Sequence, residues 1–177
     1  MPNINRRTDW TLPLYGGIFD LPEVLLTCGR CPLPSRKSII DFLGALVVPG
    51  YVLYQAMTGL SKHQKEPLTF WARAILGAVT QFLFMGFIGF QTASATYWWM
   101  VDQDVVGHGL WAFAWICYIS MAGFLAFGRH QIRRAYSIEG SGMEDFWSSL
   151  LLYPQALAQM VSQIASDPIA RAKAVED

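Results

Sequence analysis

Charge is what this sequence has least of. Only 15% of its 177 residues are Asp, Glu, Lys or Arg, and the 13 basic and 13 acidic residues cancel. A neutral chain lacks the basic footprint of a nucleic-acid binder, so nucleic acid is not an expected partner. Cysteine is almost as scarce. Cys28 and Cys31 form a lone C-x-x-C, and Cys117 is far from them in sequence. Two such pairs would argue for zinc and one does not, so Cys28 and Cys31 are metal-ligand candidates by residue type only. There is no Gly-rich phosphate loop and no nucleophile–base–orienter set. No catalytic residue is therefore assigned, and an enzyme is not expected. Met1–Asp9 is polar and basic, without the hydrophobic region or cleavage site of a signal peptide. The first downstream hydrophobic segment is then expected to serve as the insertion signal.

What the chain does have is apolar length. Ala74–Met100 contains no charged residue. Val105–Phe127 contains none either, its ionisable groups being His108, Cys117 and Tyr118. The two runs are joined by Val101-Asp102-Gln103-Asp104. A helix needs about 20 apolar residues to cross a bilayer, and a helix on the surface of a soluble domain would show a charged face. The expected fold is therefore an all-α integral membrane protein built on a transmembrane helical hairpin at 74–127. The alternative, a hairpin buried in a soluble domain, would need more surrounding chain than is available. Trp98, Trp99 and Trp111 fall where indole rings favour the membrane–water boundary.

The basic residues set the expected topology. All 13 Lys and Arg residues lie outside 74–127, eight before it and five after it. Basic flanks stay on the side from which a protein is inserted. Both termini are thus expected on the cytoplasmic, stromal or matrix side, with Arg129, Arg133 and Arg134 at the inner membrane boundary. A third span at 39–60 would divide the basic residues five against eight, a much weaker bias. That segment contains Pro49-Gly50, and the reading preferred here is a re-entrant or interfacial helix broken near Pro49.

The remaining regions follow from composition. Residues 1–38 form an apolar loop region punctuated by Pro and Gly. Residues 61–73 form a polar connector. In 128–177 a basic helix end is followed by Ser141-x-x-Glu144, a capping box that opens a new helix. Apolar residues recur from Phe146 to Ile164, with Gln155, Gln159 and Gln163 on another face. This predicts an amphipathic helix, restarted at Pro154, that lies at the interface or packs its apolar side on a neighbour.

Within the hairpin, Gly86, Gly89, Ala93 and Thr96 form a stripe of small residues, and Ser120 and Gly123 make a shorter one. Such stripes let another helix approach closely. Gln81, Gln91, Thr92 and Ser94 add polar groups that need partners inside a bilayer. His108 could ligate a heme or chlorophyll, but no second histidine shares its depth, and its ordinary role is a hydrogen bond near the headgroups. Trp111, Trp115 and Tyr118 make an aromatic stripe suited to packing or to a lipid or pigment groove. Bound lipid is expected, and no cofactor is required.

Two stretches carry a family resemblance. One is Trp10…Gly17-Ile18-Phe19-Asp20…Cys28…Cys31-Pro32. The other is Arg129-x-x-Ile132-Arg133-x-x-Tyr136-x-Ile138-x-Gly140, followed by Asp145…Pro154…Leu157-x-Gln159. Together they resemble the placenta-specific-eight family, which includes the plant cadmium-resistance and cell-number-regulator proteins. Most of the family's cysteines are absent, and Tyr153 stands where a Cys would precede Pro154. The resemblance implies a small membrane protein of this layout. Taken with the packing features, the expected function is a non-enzymatic accessory subunit that packs against other membrane protein subunits. The alternative is a homo-oligomeric metal or cation transporter with Gln81, Gln91 and Thr92 facing a pore.

Overall fold

The computed structural model describes residues 43–61, 68–101 and 104–165, and every regular element among them is helical. The N-terminal loop region, Cys28, Cys31, residues 62–67 of the polar connector and the Asp102-Gln103 link lie outside the described residues. The helices are α1 (Pro49–Ser61), α2 (Phe70–Thr96), α3 (Asp104–Tyr136), α4 (Gly142–Leu151) and α5 (Tyr153–Ala165), with a π-helical stretch, Tyr97–Val101, closing α2.

Helices α2 and α3 pair as the expected hairpin. Thr69 starts α2: its hydroxyl accepts the Ala72 N–H at 3.2 Å, satisfying one of the donors that a helix start leaves open. Phe70–Met100 and Val105–Tyr136 are the two segments among the described residues long and apolar enough to cross a membrane. Their most apolar windows are only 17% and 28% buried. A core helix of a soluble domain would be mostly covered. Phe82, Met85, Phe113 and Ile116 all point outward, each more than half exposed.

Of the segment 39–60 expected as a re-entrant helix or a third span, residues 43–60 are described, and their helix is interrupted once. Helix α1 has 13 residues, about 20 Å, against a hydrocarbon core of about 30 Å. The break near Pro49 is present: a helical turn over 43–47 stops at Val48, and α1 begins at Pro49. Proline suits a first helical position because the N–H it lacks would have had no partner there.

Helices α1, α4 and α5 gather round the half of the hairpin remote from its tip. Leu53, Met57 and Leu60 of α1, Met121, Leu125 and Ile132 of α3, and Leu157 and Met160 of α5 form the core there. The α1–α2 crossing is made by glycines. A Cβ on Gly77 would stand 2.7 Å from the Gly50 carbonyl and 2.9 Å from Tyr54 Cβ.

Helix α3 ends in a Schellman motif. Ser137 takes a left-handed φ of 54°, the Ile138 N–H reaches the Arg133 carbonyl at 3.0 Å, and the Ser137 N–H reaches the Arg134 carbonyl at 3.4 Å. Ser141 then caps α4, its hydroxyl accepting the Glu144 N–H at 3.2 Å, as the capping-box spacing anticipates. The restart at Pro154 is also present, with α4 and α5 separated at Leu152.

The facing of this last segment departs from expectation. Gln155, Gln159 and Gln163 were expected on the face turned away from the packing, yet all three are buried. Helix α5 packs on α1 and α3, and Gln159 of the row meets Arg129 of α3. The outward side of α4 is apolar instead: Met143, Trp147 and Leu151 are 65%, 52% and 71% exposed.

Candidate functional site

The densest polar chemistry sits where α3, α4 and α5 converge. Arg129 and Arg133 lie one turn apart on α3, so both guanidiniums leave the same face. Helix α4 brings Asp145 against that face. Asp145 Oδ1 accepts from Arg129 Nε at 2.9 Å and from Arg133 Nη2 at 2.7 Å. Arg129 Nη1 also donates to Gln159 Oε1 on α5. Arg133 Nη1 donates to the Glu139 carbonyl at 2.6 Å and lies 3.5 Å from Glu144 Oε2. Asp145 is fully buried, and Arg129 and Arg133 are 2% and 3% exposed.

Local backbone chemistry makes this junction. The left-handed Ser137 turns the chain back, and Gly140, at φ 136°, lets it pass beside Arg133. A Cβ at Gly140 would overlap the Arg133 guanidinium. The carboxylate faces two cations at once, with the exposed Glu144 nearby. Such a buried cluster holds only while every partner is present, because an unpaired buried charge is costly. His130 stands at its rim, Nδ1 being 3.8 Å from Asp145 Oδ2. The arrangement pins helices; it presents no activated nucleophile. Among the described residues no group of three or more His, Cys, Asp or Glu could hold a metal ion.

Two of the three arginines expected as boundary anchors thus turn inward. Arg129 and Arg133 are ion-paired inside the fold because α4 folds back over them, and only Arg134 is exposed. Trp98, Trp99 and Trp111 are 38%, 89% and 43% exposed. His108 is exposed beside Trp98, the ring centroids 5.3 Å apart. The aromatic stripe continues into α5, with Trp111–Trp115, Trp115–Tyr118 and Tyr118–Tyr153 at 6.0, 5.7 and 6.3 Å, and Trp111 and Trp115 stay exposed.

The small-residue stripe is used only in part within the chain. Gly86 approaches Cys117, a Cβ there standing 3.3 Å from its sulfur. Gly89 and Gly123 face open space. Ala93 and Ser120 are half-buried and Thr96 is exposed. Close approach inside the fold falls to other glycines: Gly50 with Gly77, Gly107 under Trp98, and Gly128 under Leu53.

Several of the polar groups expected to need partners inside the bilayer find them within the chain, although Gln81 Nε2 is buried without one. Gln81 Oε1 accepts the Gly50 N–H at 3.2 Å. Thr92 and Thr96 donate to carbonyls one turn back, and Ser94 Oγ donates to the Gly107 carbonyl at 2.8 Å.

Asp145, Tyr118 and Tyr153 carry more of the structure than sequence reasoning assigned them. Tyr118 donates to the Leu150 carbonyl at 2.7 Å, and Tyr153 to the Leu46 carbonyl at 3.1 Å. One available signal was the glutamine row itself. A helix face of Gln without a single charge is a poor solvent face and a good partner for buried arginines. No family model, no curated protein and no solved structure matches this chain. Arg129, Arg133, Asp145 and Gln159 assemble the buried cluster, and Gly140 leaves room for the Arg133 guanidinium.

Proposed function

We propose that this protein is a small, non-enzymatic integral-membrane subunit that packs against neighbouring subunits of a larger membrane assembly. The observation that carries the reading is the outward surface of the hairpin. It is largely apolar and interrupted by open glycines: a Cβ at Gly89, Gly109 or Gly123 would meet nothing within 4 Å. Lipid covers large outward side chains such as Phe82 and Phe113. Open glycines are where another helix can come close. The charge-free spans enter the bilayer as a pair, with the basic residues and both termini on the inner side.

The transport reading draws no such support. Gln81 Oε1 already accepts the Gly50 N–H, and the Thr92 hydroxyl donates to the Ile88 carbonyl. The subunit reading is tested by extraction in a gentle detergent followed by native electrophoresis. The protein is expected to migrate within a larger species together with other membrane proteins. Migration as a free 19.9 kDa chain in its detergent micelle would contradict it.

A further inference from the structure

We infer that α4 and α5 form a re-entrant helical hairpin that dips into the membrane from the side of the basic residues and turns back near its midplane at Leu152. The inference rests on reading α2 and α3 as membrane-spanning, and it replaces the interfacial placement expected from the sequence.

Height along α3 is the first argument. Helix α4 starts beside Arg133, which bonds the Glu139 carbonyl just before it and Asp145 in its first turns. It ends beside Tyr118, whose hydroxyl holds the Leu150 carbonyl. Those two α3 positions are about 22 Å apart, and Tyr118 is about 21 Å from the Asp104 end, so the α4–α5 turn sits near mid-height. Helix α5 then returns: Gln159 meets Arg129, and Ile164 packs on Gly59 at the far end of α1. Helices of 10 and 13 residues rise about 15 and 20 Å, enough to reach the middle of a hydrocarbon core of about 30 Å but not to cross it.

The treatment of broken backbone is the second argument. A helix break inside hydrocarbon must have its freed N–H and C=O groups satisfied by protein. Two breaks meet at this height, at Val48 and at Leu152. The Leu150 carbonyl is taken by Tyr118, the Leu46 carbonyl by Tyr153, and the Gly50 N–H by Gln81. Each is a side chain from another element, reaching a group that water would otherwise serve.

Facing is the third argument. Asp145 and the Gln155, Gln159 and Gln163 row point inward, while Met143, Trp147 and Leu151 point outward. This is the reverse of a helix pair in water. Phe146–Ser166 contains no charged residue. A lipid environment is the surrounding that this distribution fits.

The test uses the full chain with Cys28→Ser, Cys31→Ser and Cys117→Ala, reconstituted in vesicles. Single cysteines at Leu151→Cys, Trp147→Cys, Met143→Cys and Ile116→Cys carry an environment-sensitive fluorophore. All four positions are outward-facing, so none removes a core contact. Quenching is read with aqueous iodide and with lipids bearing a mid-chain nitroxide. The probe at position 151 is expected to match that at 116, quenched by the nitroxide lipid and protected from iodide. Position 147 should be intermediate, and position 143 several-fold more sensitive to iodide. Free access of iodide to 151 and 147 with 116 still protected would overturn the re-entrant placement and leave the spanning hairpin standing. Access at 116 as well would overturn both.

Discussion

The two halves of the α2–α3 hairpin are made of similar residues and live in different surroundings. Towards the tip, the pair is held by small contacts: Ser94 on the Gly107 carbonyl, Trp98 over Gly107, and Gly86 against Cys117. Towards the other end, three further helices cover it, and two arginines, an aspartate and three glutamines are buried beside Leu125 and Met160. Hydropathy alone does not separate these halves. The difference teaches that an uninterrupted apolar run sets where a chain can enter lipid, while scattered polar residues decide which part of it is covered by protein.

Asp145→Ala should separate the halves most sharply. It strands two buried guanidiniums, which costs about 3–5 kcal/mol. Thermal unfolding of the purified protein in detergent, followed by helical circular dichroism, should show a large loss. Trp99→Ala, at the exposed tip, should change stability by no more than about 0.5 kcal/mol. Equal losses would break the comparison.

Glycine replacements sharpen it next. Gly77→Ala forces a methyl against the Gly50 carbonyl and should destabilise by about 1–3 kcal/mol. Gly89→Ala meets open space and should be neutral or stabilise by up to about 1 kcal/mol through helix propensity. Gly89→Leu should leave the isolated chain as stable as before yet reduce recovery of co-purifying subunits. Unchanged recovery would count against the assembly reading.

Tyr118→Phe should cost about 0.5–1.5 kcal/mol by releasing the Leu150 carbonyl, seen as a modest fall in unfolding temperature.

The parts of the fold legible in the sequence were those set by local rules. The two long apolar runs mark α2 and α3, Pro49 and Pro154 mark helix starts, and Ser141 with Glu144 marks the opening of α4. The uncharged glutamine row hinted at the facing of α5, but which residues it would meet was not legible until the partner helix is placed. Arg129 and Arg133 were hidden for the same reason. Cationic residues at the end of an apolar run read as boundary anchors, and only the turn at Ser137–Gly140 brings Asp145 onto them. Of the small-residue stripe only Gly86 is closely approached within the chain, and the tighter contacts fall at Gly50, Gly59, Gly77, Gly107 and Gly128.

The central claim is that the hairpin crosses the bilayer with its tip on the face opposite the basic residues. Single cysteines at Val105→Cys and Arg134→Cys, both at exposed positions, can be labelled with a membrane-impermeant maleimide in sealed vesicles of one orientation. The account predicts that one position reacts in intact vesicles and the other only after permeabilisation. Reaction of both in intact vesicles would contradict it.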